Sequence, residues 1–438
     1  SPARMARLVY TLLLLIAAPL VPVYLLWRSR RQPEYRQHWA ERLGFYGTGL
    51  TPGKNSPRFW LHAVSVGETR ATQPLVRQLR ERWPHCQILI THMTPTGRQT
   101  SRDLYGDDVS CVYLPYDWPF SMRRFLRHFQ PTMGILLETE LWPNLIAACR
   151  QQNIPLLLIN ARLSEKSARG YARFPGLTRE ALQNLSAIAA QSHQDTTRLK
   201  ALGASDITLM GNLKFDISPP PELLTLGALW RKQRARRPAL LVASSREGEE
   251  TLIFDAWARQ ARRDVLLIVV PRHPQRFDAV EALAVARGLR VTRRSSGTEI
   301  PAKTDVFLGD SMGEMFAYYA SSDVAFMGGS LLDYGCQNLI EACAVGVPVL
   351  LGPSTYNFSE AAAAALDCKA AQSITTAEQM IEQALSLIDN AGACERASRA
   401  GLSFAAQHRG ATQRAMALIE LRLPADAVPP ANPTPPAP

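Results

Sequence analysis

This chain of 438 residues lacks the common signatures of metal, redox and ATP chemistry. It has no CxxC pair, and its seven cysteines (Cys86, Cys111, Cys149, Cys336, Cys343, Cys368 and Cys394) are scattered and odd in number. That pattern argues against a disulfide framework or a zinc ribbon and fits a reducing compartment. There is no HExxH, no close His/Cys/Asp cluster, no GxxxxGK[ST] and no GxGxxG. Acidic residues are in deficit, 38 Asp and Glu against 49 Lys and Arg, for a formal charge of +11. Such a surface attracts an acidic partner. Aromatics are 8% and do not interleave with basic runs, so anionic lipid or a phosphorylated or carboxylated substrate is favoured over nucleic acid. Apolar residues at 46% and charged residues at 20% match ordinary soluble usage, which excludes wholesale disorder and a multi-span membrane protein.

Leu8–Leu26 is an uncharged stretch of 19 residues rich in Leu, Ile, Val and Ala, where a spanning helix needs roughly 17–25. Arg28, Arg30, Arg31 and Arg36 follow it, and no small-residue cleavage site does. The expectation is an uncleaved N-terminal membrane-anchor helix with the rest of the chain on the cytoplasmic side. Pro19 and Pro22 interrupt the stretch, so a monotopic helix lying in the interface is the alternative. Chemistry is expected to need only the parts beyond it.

From Pro57 onward, continuous apolar runs alternate with amphipathic stretches: Phe59–Val64, Ile88–His92, Gly134–Leu137, Leu156–Ile159, Ala187–Ala190 and Ile207–Met210, with helical stretches such as Thr69–Trp83 between them. Continuous rather than alternating runs are expected of parallel strands covered on both faces. Ile217-Ser218-Pro219-Pro220-Pro221 breaks the pattern as a linker. A second series follows: Ala239–Ala243, Val265–Val270, Val306–Leu308, Val324–Met327 and Val347–Leu351. The reading is α/β, with two Rossmann-like domains facing a cleft and ligands at the carboxyl ends of the strands. The expected division is 1–45 anchor and basic segment, 46–216 first domain, 217–225 linker, 226–402 second domain, 403–422 a C-terminal helix, and 423–438 a disordered Pro-rich tail.

Polar residues cluster at the strand ends. Phe59–Val64 runs into Ser65-Val66-Gly67-Glu68, where Glu68 is either a helix-capping acid or a general base. Gly134–Leu137 runs into Glu138-Thr139-Glu140, just before a helix opened by Pro143. Lys214 follows Gly211-Asn212-Leu213. In the second half, Pro271-Arg272 offers a guanidinium fork for phosphate or carboxylate, and Met312-Gly313-Glu314, Gly328-Gly329-Ser330 and Asn338-Leu339-Ile340-Glu341 follow later strands. Glycines at helix starts let backbone N–H groups meet phosphate, and Glu341 suits a ribose diol, so a nucleotide site is expected here. His62 and His92 sit inside strands and read as core histidines.

Ten strings then carry a resemblance: SVGETRA (65–71), THMTPTG (91–97), YLPYD (113–117), ETELWPN (138–144), NARLS (160–164), GNLKFD (211–216), PRHPQRF (271–277), GDSMGEM (309–315), GGSL (328–331) and NLIEA (338–342). The chain resembles the 3-deoxy-D-manno-octulosonic acid (Kdo) transferases of lipopolysaccharide inner-core synthesis, from its N-terminus to about Leu421. The resemblance implies a GT-B fold with an acceptor domain, a CMP-Kdo domain and a last helix returning to the first domain. It implies inverting, metal-independent transfer of Kdo from CMP-Kdo to lipid IVA at the inner membrane, with no cofactor. It assigns Glu68 as base, Glu138 and Lys214 as transition-state stabilisers, and Pro271, Arg272, Met312, Gly313, Glu314, Asn338, Leu339, Ile340 and Glu341 as CMP contacts. Partners would be the two substrates and inner-membrane lipids, with no nucleic acid and a monomeric enzyme. Two departures touch the donor loop: Cys336-Gln337 stands where the family reads Gly-His, and Arg246 where many members carry His. A UDP-sugar transferase or epimerase, or a silent nucleotide-binding protein, remain the rival readings.

Overall fold

The computed structural model describes residues 2–47, 56–234, 237–260, 262, 264–297 and 299–425. The chain divides into two compact units. One holds the residues up to Asp216 together with the chain from Gly410 onward, and the other is Ile217–Arg409.

The first unit is built on a parallel sheet of β1 (Arg58–His62), β2 (Gln87–His92), β3 (Ser110–Tyr113), β4 (Met133–Leu137), β5 (Leu156–Ala161), β6 (Ala187–Ala190) and β7 (Ile207–Leu209), in the order β3-β2-β1-β4-β5-β6-β7. Its central strands β1, β4, β5 and β6 are buried along their whole length because both faces are covered. Phe59, Leu61, Ile90 and Ile135 pack on one side, and Trp60, Leu89 and Leu136 on the other. The second unit repeats the plan with β8 (Ala239–Ser245), β9 (Leu266–Pro271), β10 (Val291–Arg293), β11 (Val306–Leu308), β12 (Val324–Met327), β13 (Val349–Leu351) and β14 (Ala371–Ser373), in the order β10-β11-β9-β8-β12-β13-β14. In each sheet every strand runs the same way, so all carboxyl ends share one edge, and the order reverses beside β1 and beside β8.

Several sequence boundaries shift. The expected single helix over 8–26 is two, α1 (Pro2–Ala17) and α2 (Leu20–Ser29), bent by 58°. Pro19 and Pro22 cannot donate to the helical ladder, and the chain turns between them with Val21 N–H bonded to the Ala18 carbonyl at 3.1 Å. Among the described residues no single helix is long and apolar enough to cross a membrane. The linker is shorter than 217–225, because Pro221 starts a helix, Pro221–Gln233, instead of blocking one. The last crossing comes later than residue 403. The helix Ala391–His408 stays with the second unit, and the chain passes into the first at Gly410, ahead of the helix Ala411–Arg422. There Asp216 accepts the Gly410 and Thr412 N–H groups, each at 2.7 Å, and caps the returning helix. Most of the expected disordered tail, 426–438, lies outside the described residues.

Candidate functional site

The turn after β1 carries Glu68 in the first turn of the helix Val66–Ala71. Ser65 caps that helix, accepting the Glu68 N–H at 3.3 Å. The Glu68 carboxylate reaches back, accepting the Val64 N–H at 2.8 Å and the Ser65 hydroxyl at 2.9 Å. Glu68 therefore does cap, but its environment is unusual for a cap. It is 92% buried by area (8% exposed). Burial is the main reason its carboxyl is pushed up to about 7, aided by the nearby Glu138 and Glu140 and opposed by the two hydrogen bonds. A carboxyl poised near neutrality can take up a proton at physiological pH.

Glu138 follows β4 in the left-handed region, φ +60°, where a non-glycine residue is strained. Its N–H bonds the Ile159 carbonyl of the neighbouring strand at 3.2 Å. Its Oε1 receives Lys214 Nζ at 2.7 Å. The ammonium also overhangs the β1 turn, since a Cβ placed on Gly67 would lie 3.7 Å from Lys214 Nζ. The turns after β1, β4 and β7 thus place Glu68, Glu138 and Lys214 together.

The lysine is held from beneath. Asn212 caps its turn, accepting the Lys214 N–H at 3.0 Å, and donates to Gln191 at 3.0 Å. Gln191 donates to the Asn160 carbonyl at 2.9 Å, and Asn160 Oδ1 accepts the Leu213 N–H at 3.0 Å. Asn160 is itself left-handed, φ +57°, and its buried Nδ2 has no hydrogen-bond partner among the described residues. Glu140 is not the solvated acid that a surface turn would make it. Trp142 Nε1 donates to it at 2.6 Å, His62 Nε2 lies 4.0 Å away, and burial raises its carboxyl. His62, driven down to about 3 by complete burial, stays neutral, and His92 is pushed down to about 4 in the same way. Both bond to neighbours in the core, Thr91 and Ala63.

Asp117 ties these loops to α1. It is buried and pushed up to about 7 by that burial. It accepts the Asn144 and Leu145 N–H groups at 3.0 and 2.8 Å, capping the helix Pro143–Gln151 that follows the Glu138–Trp142 loop. Tyr10 donates its hydroxyl to Asp117 at 3.1 Å, and Thr11 donates to Asn144 Oδ1 at 3.1 Å.

In the second unit the turns after β8, β9, β11 and β12 line one edge of the sheet. Pro271 closes β9 and is buried. Arg272 bonds the Ser245 carbonyl through its N–H at 3.0 Å, and its exposed guanidinium makes no hydrogen bond or ion pair among the described residues. Met312 is exposed and Gly313 is left-handed, φ +80°. Glu314 is already engaged, accepting two Arg294 N–H groups at 3.1 Å. Asn338 caps the helix Leu339–Val345 by accepting the Ile340 N–H at 3.2 Å. Leu339 and Ile340 are fully buried, backbone included, so they anchor the turn in the core. Glu341 is pushed up to about 7, chiefly by burial.

Glu249 received no role from the sequence, yet it organises this edge. Fully buried, it accepts the N–H groups of Gly329 at 2.8 Å, Arg246 at 2.9 Å, Leu331 at 3.0 Å and Leu332 at 3.5 Å. The available signal was an acid at a helix start after Gly248, but its burial was not visible. Gly328 must be glycine, because a Cβ there would sit 2.4 Å from the Ser244 carbonyl oxygen. Cys336 adopts φ +58°, the conformation glycine takes most easily, so the Cys departure costs backbone strain. Arg246, the other departure, lies over the Tyr334 ring at 4.6 Å.

A family model described as 3-deoxy-D-manno-octulosonic-acid transferase (kdotransferase) matches residues 37–217. A 3-deoxy-D-manno-octulosonic acid transferase of Bordetella pertussis is 42% identical over 428 residues, covering 95% of this chain and 99% of that protein. The protein of the same description in Haemophilus influenzae is 38% identical, covering 95% and 98%. Among solved structures, Acinetobacter baumannii MurG is similar with a TM-score of 0.51 at 16% identity, covering 83% of this chain and 99% of that one, a likeness of fold.

Proposed function

The chain belongs to the Kdo transferase family, glycosyltransferases of lipopolysaccharide biosynthesis, and from that premise we propose that it moves Kdo from CMP-Kdo to lipid IVA as an inverting, metal-independent GT-B enzyme. The observation that carries the mechanism is Glu68, a buried carboxyl near neutral pKa beside the Glu138–Lys214 pair. Glu68 takes the proton of the acceptor hydroxyl. The freed oxygen attacks the anomeric carbon from the face opposite the nucleotide, the bond to the phosphate oxygen breaks, and its electron pair leaves with CMP. Lys214, aligned by Glu138, places positive charge where charge redistributes in the transition state.

On the donor side, Pro271, Arg272, Met312, Gly313, Glu314 and the segment Asn338–Glu341 hold CMP. The unengaged Arg272 guanidinium suits the departing phosphate. With Glu314 bound to Arg294, its contribution is to shape the loop. Leu339 and Ile340 hold this turn from the core, with the Ile340 N–H taken by Asn338, and Glu341 takes the ribose. No cofactor is involved, the enzyme acts as a monomer, and nucleic acid is not a partner.

The enzyme acts at the cytoplasmic face of the inner membrane. Because α1 and α2 are bent apart, they lie in the headgroup region instead of spanning. Leu8, Leu12, Ile16, Leu20 and Val23 are exposed there, and Arg28, Arg30 and Arg31 suit anionic headgroups.

The test is transfer to lipid IVA by purified protein, offered CMP-Kdo or UDP-sugars, with and without EDTA. Product with CMP-Kdo alone, of inverted configuration by NMR and unaffected by EDTA, is expected. Transfer from a UDP-sugar, or loss in EDTA, would overturn the corresponding part. Mass spectrometry of the product counts the Kdo units added.

A further inference from the structure

An apolar pocket of about 640 Å³ opens in the first unit between α1 and the helices Glu165–Ala172 and Pro175–Asn184. Val9, Leu13, Leu141, Tyr171, Phe174 and Ala181 are among its walls, and no charged side chain lines it. The volume is that of a small-ligand site.

Its chemistry is selective. The polar side chains in the lining are Tyr10, Tyr171 and Thr178, and each is already engaged. Tyr10 donates to Asp117, Tyr171 donates to the Thr139 carbonyl at 3.1 Å, and Thr178 donates to the Tyr171 carbonyl at 2.9 Å. The pocket therefore offers a polar ligand little to bind, and it favours hydrocarbon by burial alone.

Its position is equally specific. Leu141 and Pro143 belong to the loop that carries Glu138 and Glu140, and Tyr171 is bonded to that loop at Thr139. One wall is thus the backbone of the candidate catalytic site. The opposite wall is α1, where Met5, Val9 and Leu13 line the pocket while remaining half or more exposed, so it is continuous with the apolar outer face of that helix.

We infer that this pocket seats one acyl chain of the lipid acceptor, holding the sugar headgroup in register with Glu68. The inference rests on the lipid acceptor proposed above. A bulk phospholipid chain fits the same chemistry, but it has no reason to share a wall with the catalytic loop.

Val9→Trp fills the pocket from its exposed side, and Phe174→Asp puts a charge on its far rim. Both positions are largely solvent-exposed, so the fold should hold, as near-UV circular dichroism would confirm. Kinetics in detergent micelles without phospholipid would compare the acylated disaccharide acceptor with its fully deacylated form. Either variant should raise KM for the acylated acceptor by about tenfold or more, with kcat within about twofold and KM for the deacylated form unchanged. An unchanged KM for the acylated acceptor in a folded variant overturns the inference. So does an equal shift for both acceptors, which marks a structural disturbance, or a loss confined to vesicle binding, which marks a bulk-lipid site. If the unaltered protein transfers to neither acceptor, the acceptor reading itself fails, an outcome distinct from these.

Discussion

Lys214 Nζ stands 2.7 Å from Glu138 Oε1, an ion pair joining residues 76 positions apart at the carboxyl ends of β7 and β4. The pair neutralises a carboxylate held in a strained backbone conformation, beside a second carboxyl, Glu68, that Glu138 itself helps to keep protonated. Removing either partner therefore alters the charge felt at Glu68.

Lys214→Met should lower kcat by about 100-fold, the scale for loss of one preorganised electrostatic contact. It also leaves Glu138 without its counter-charge. Glu138→Gln alone should do comparable damage, and the double variant should be little worse than either single one. A double-mutant cycle with coupling of about 0.5–3 kcal/mol is expected. Strictly additive losses would mean that the two residues act separately.

Glu68→Gln keeps acceptors and donors for Val64 and Ser65, so the turn should survive. Turnover should drop by about 100-fold or more. In the unaltered enzyme kcat/KM should rise with pH through a limb near 7, the value to which Glu68 is pushed, and that limb should vanish in the variant. Stability carries the opposite sign. The folded state keeps a proton that the unfolded chain releases from its ordinary value of 4.5, so this group costs stability as pH rises from 4.5 towards 7. Thermal melts of the Gln variant should show a shallower pH slope over that window.

Glu249 and Arg272 separate scaffolding from binding. Glu249→Gln loses one of two acceptor oxygens facing four backbone N–H groups, at a cost of about 1–3 kcal/mol for a donor left unsatisfied. Melting temperature and CMP affinity should fall together. Arg272→Ala should weaken CMP binding by about 1.5–3 kcal/mol, the range for a hydrogen bond to a charged group, with an unchanged melting temperature. Calorimetry with CMP and thermal melts on the same samples check both.

Deleting the residues before Gln32, which the sequence suggested would spare catalysis, should instead impair it. α1 supplies hydrogen bonds to Asp117 and Asn144, and both support the helix that begins just after the Glu138–Trp142 loop. A lower melting temperature and reduced transfer to dispersed acceptor are expected. Tyr10→Phe should reproduce part of the loss, about 1 kcal/mol of stability. Full activity in the truncated protein would show that α1 serves attachment alone.

The interior strands were legible, and the strands not anticipated were β3, β10 and β14, all at sheet edges. An edge strand is covered less completely, so Ser110–Tyr113, Val291–Arg293 and Ala371–Ser373 carry polar residues and lose the continuous apolar run that marks their neighbours. Proline was the harder residue to read. Pro221 opens a helix, whereas the interruption expected at Pro19 and Pro22 is a full 58° break before Leu20.

By itself the sequence determined the α/β alternation, the two successive parallel sheets, the acids and bases at strand ends, and the family. These follow from local apolar runs and short contiguous motifs, each a property of residues close along the chain. Tertiary structure alone decided that Glu138 meets Lys214, that Glu249 gathers four N–H groups, that Asp216 caps a helix 194 positions on, and that Glu68 is buried enough to sit near neutrality. Those are properties of chain crossings and of desolvation. A carboxylate's partners and the water it loses depend on which distant turns the sheet order brings beside it.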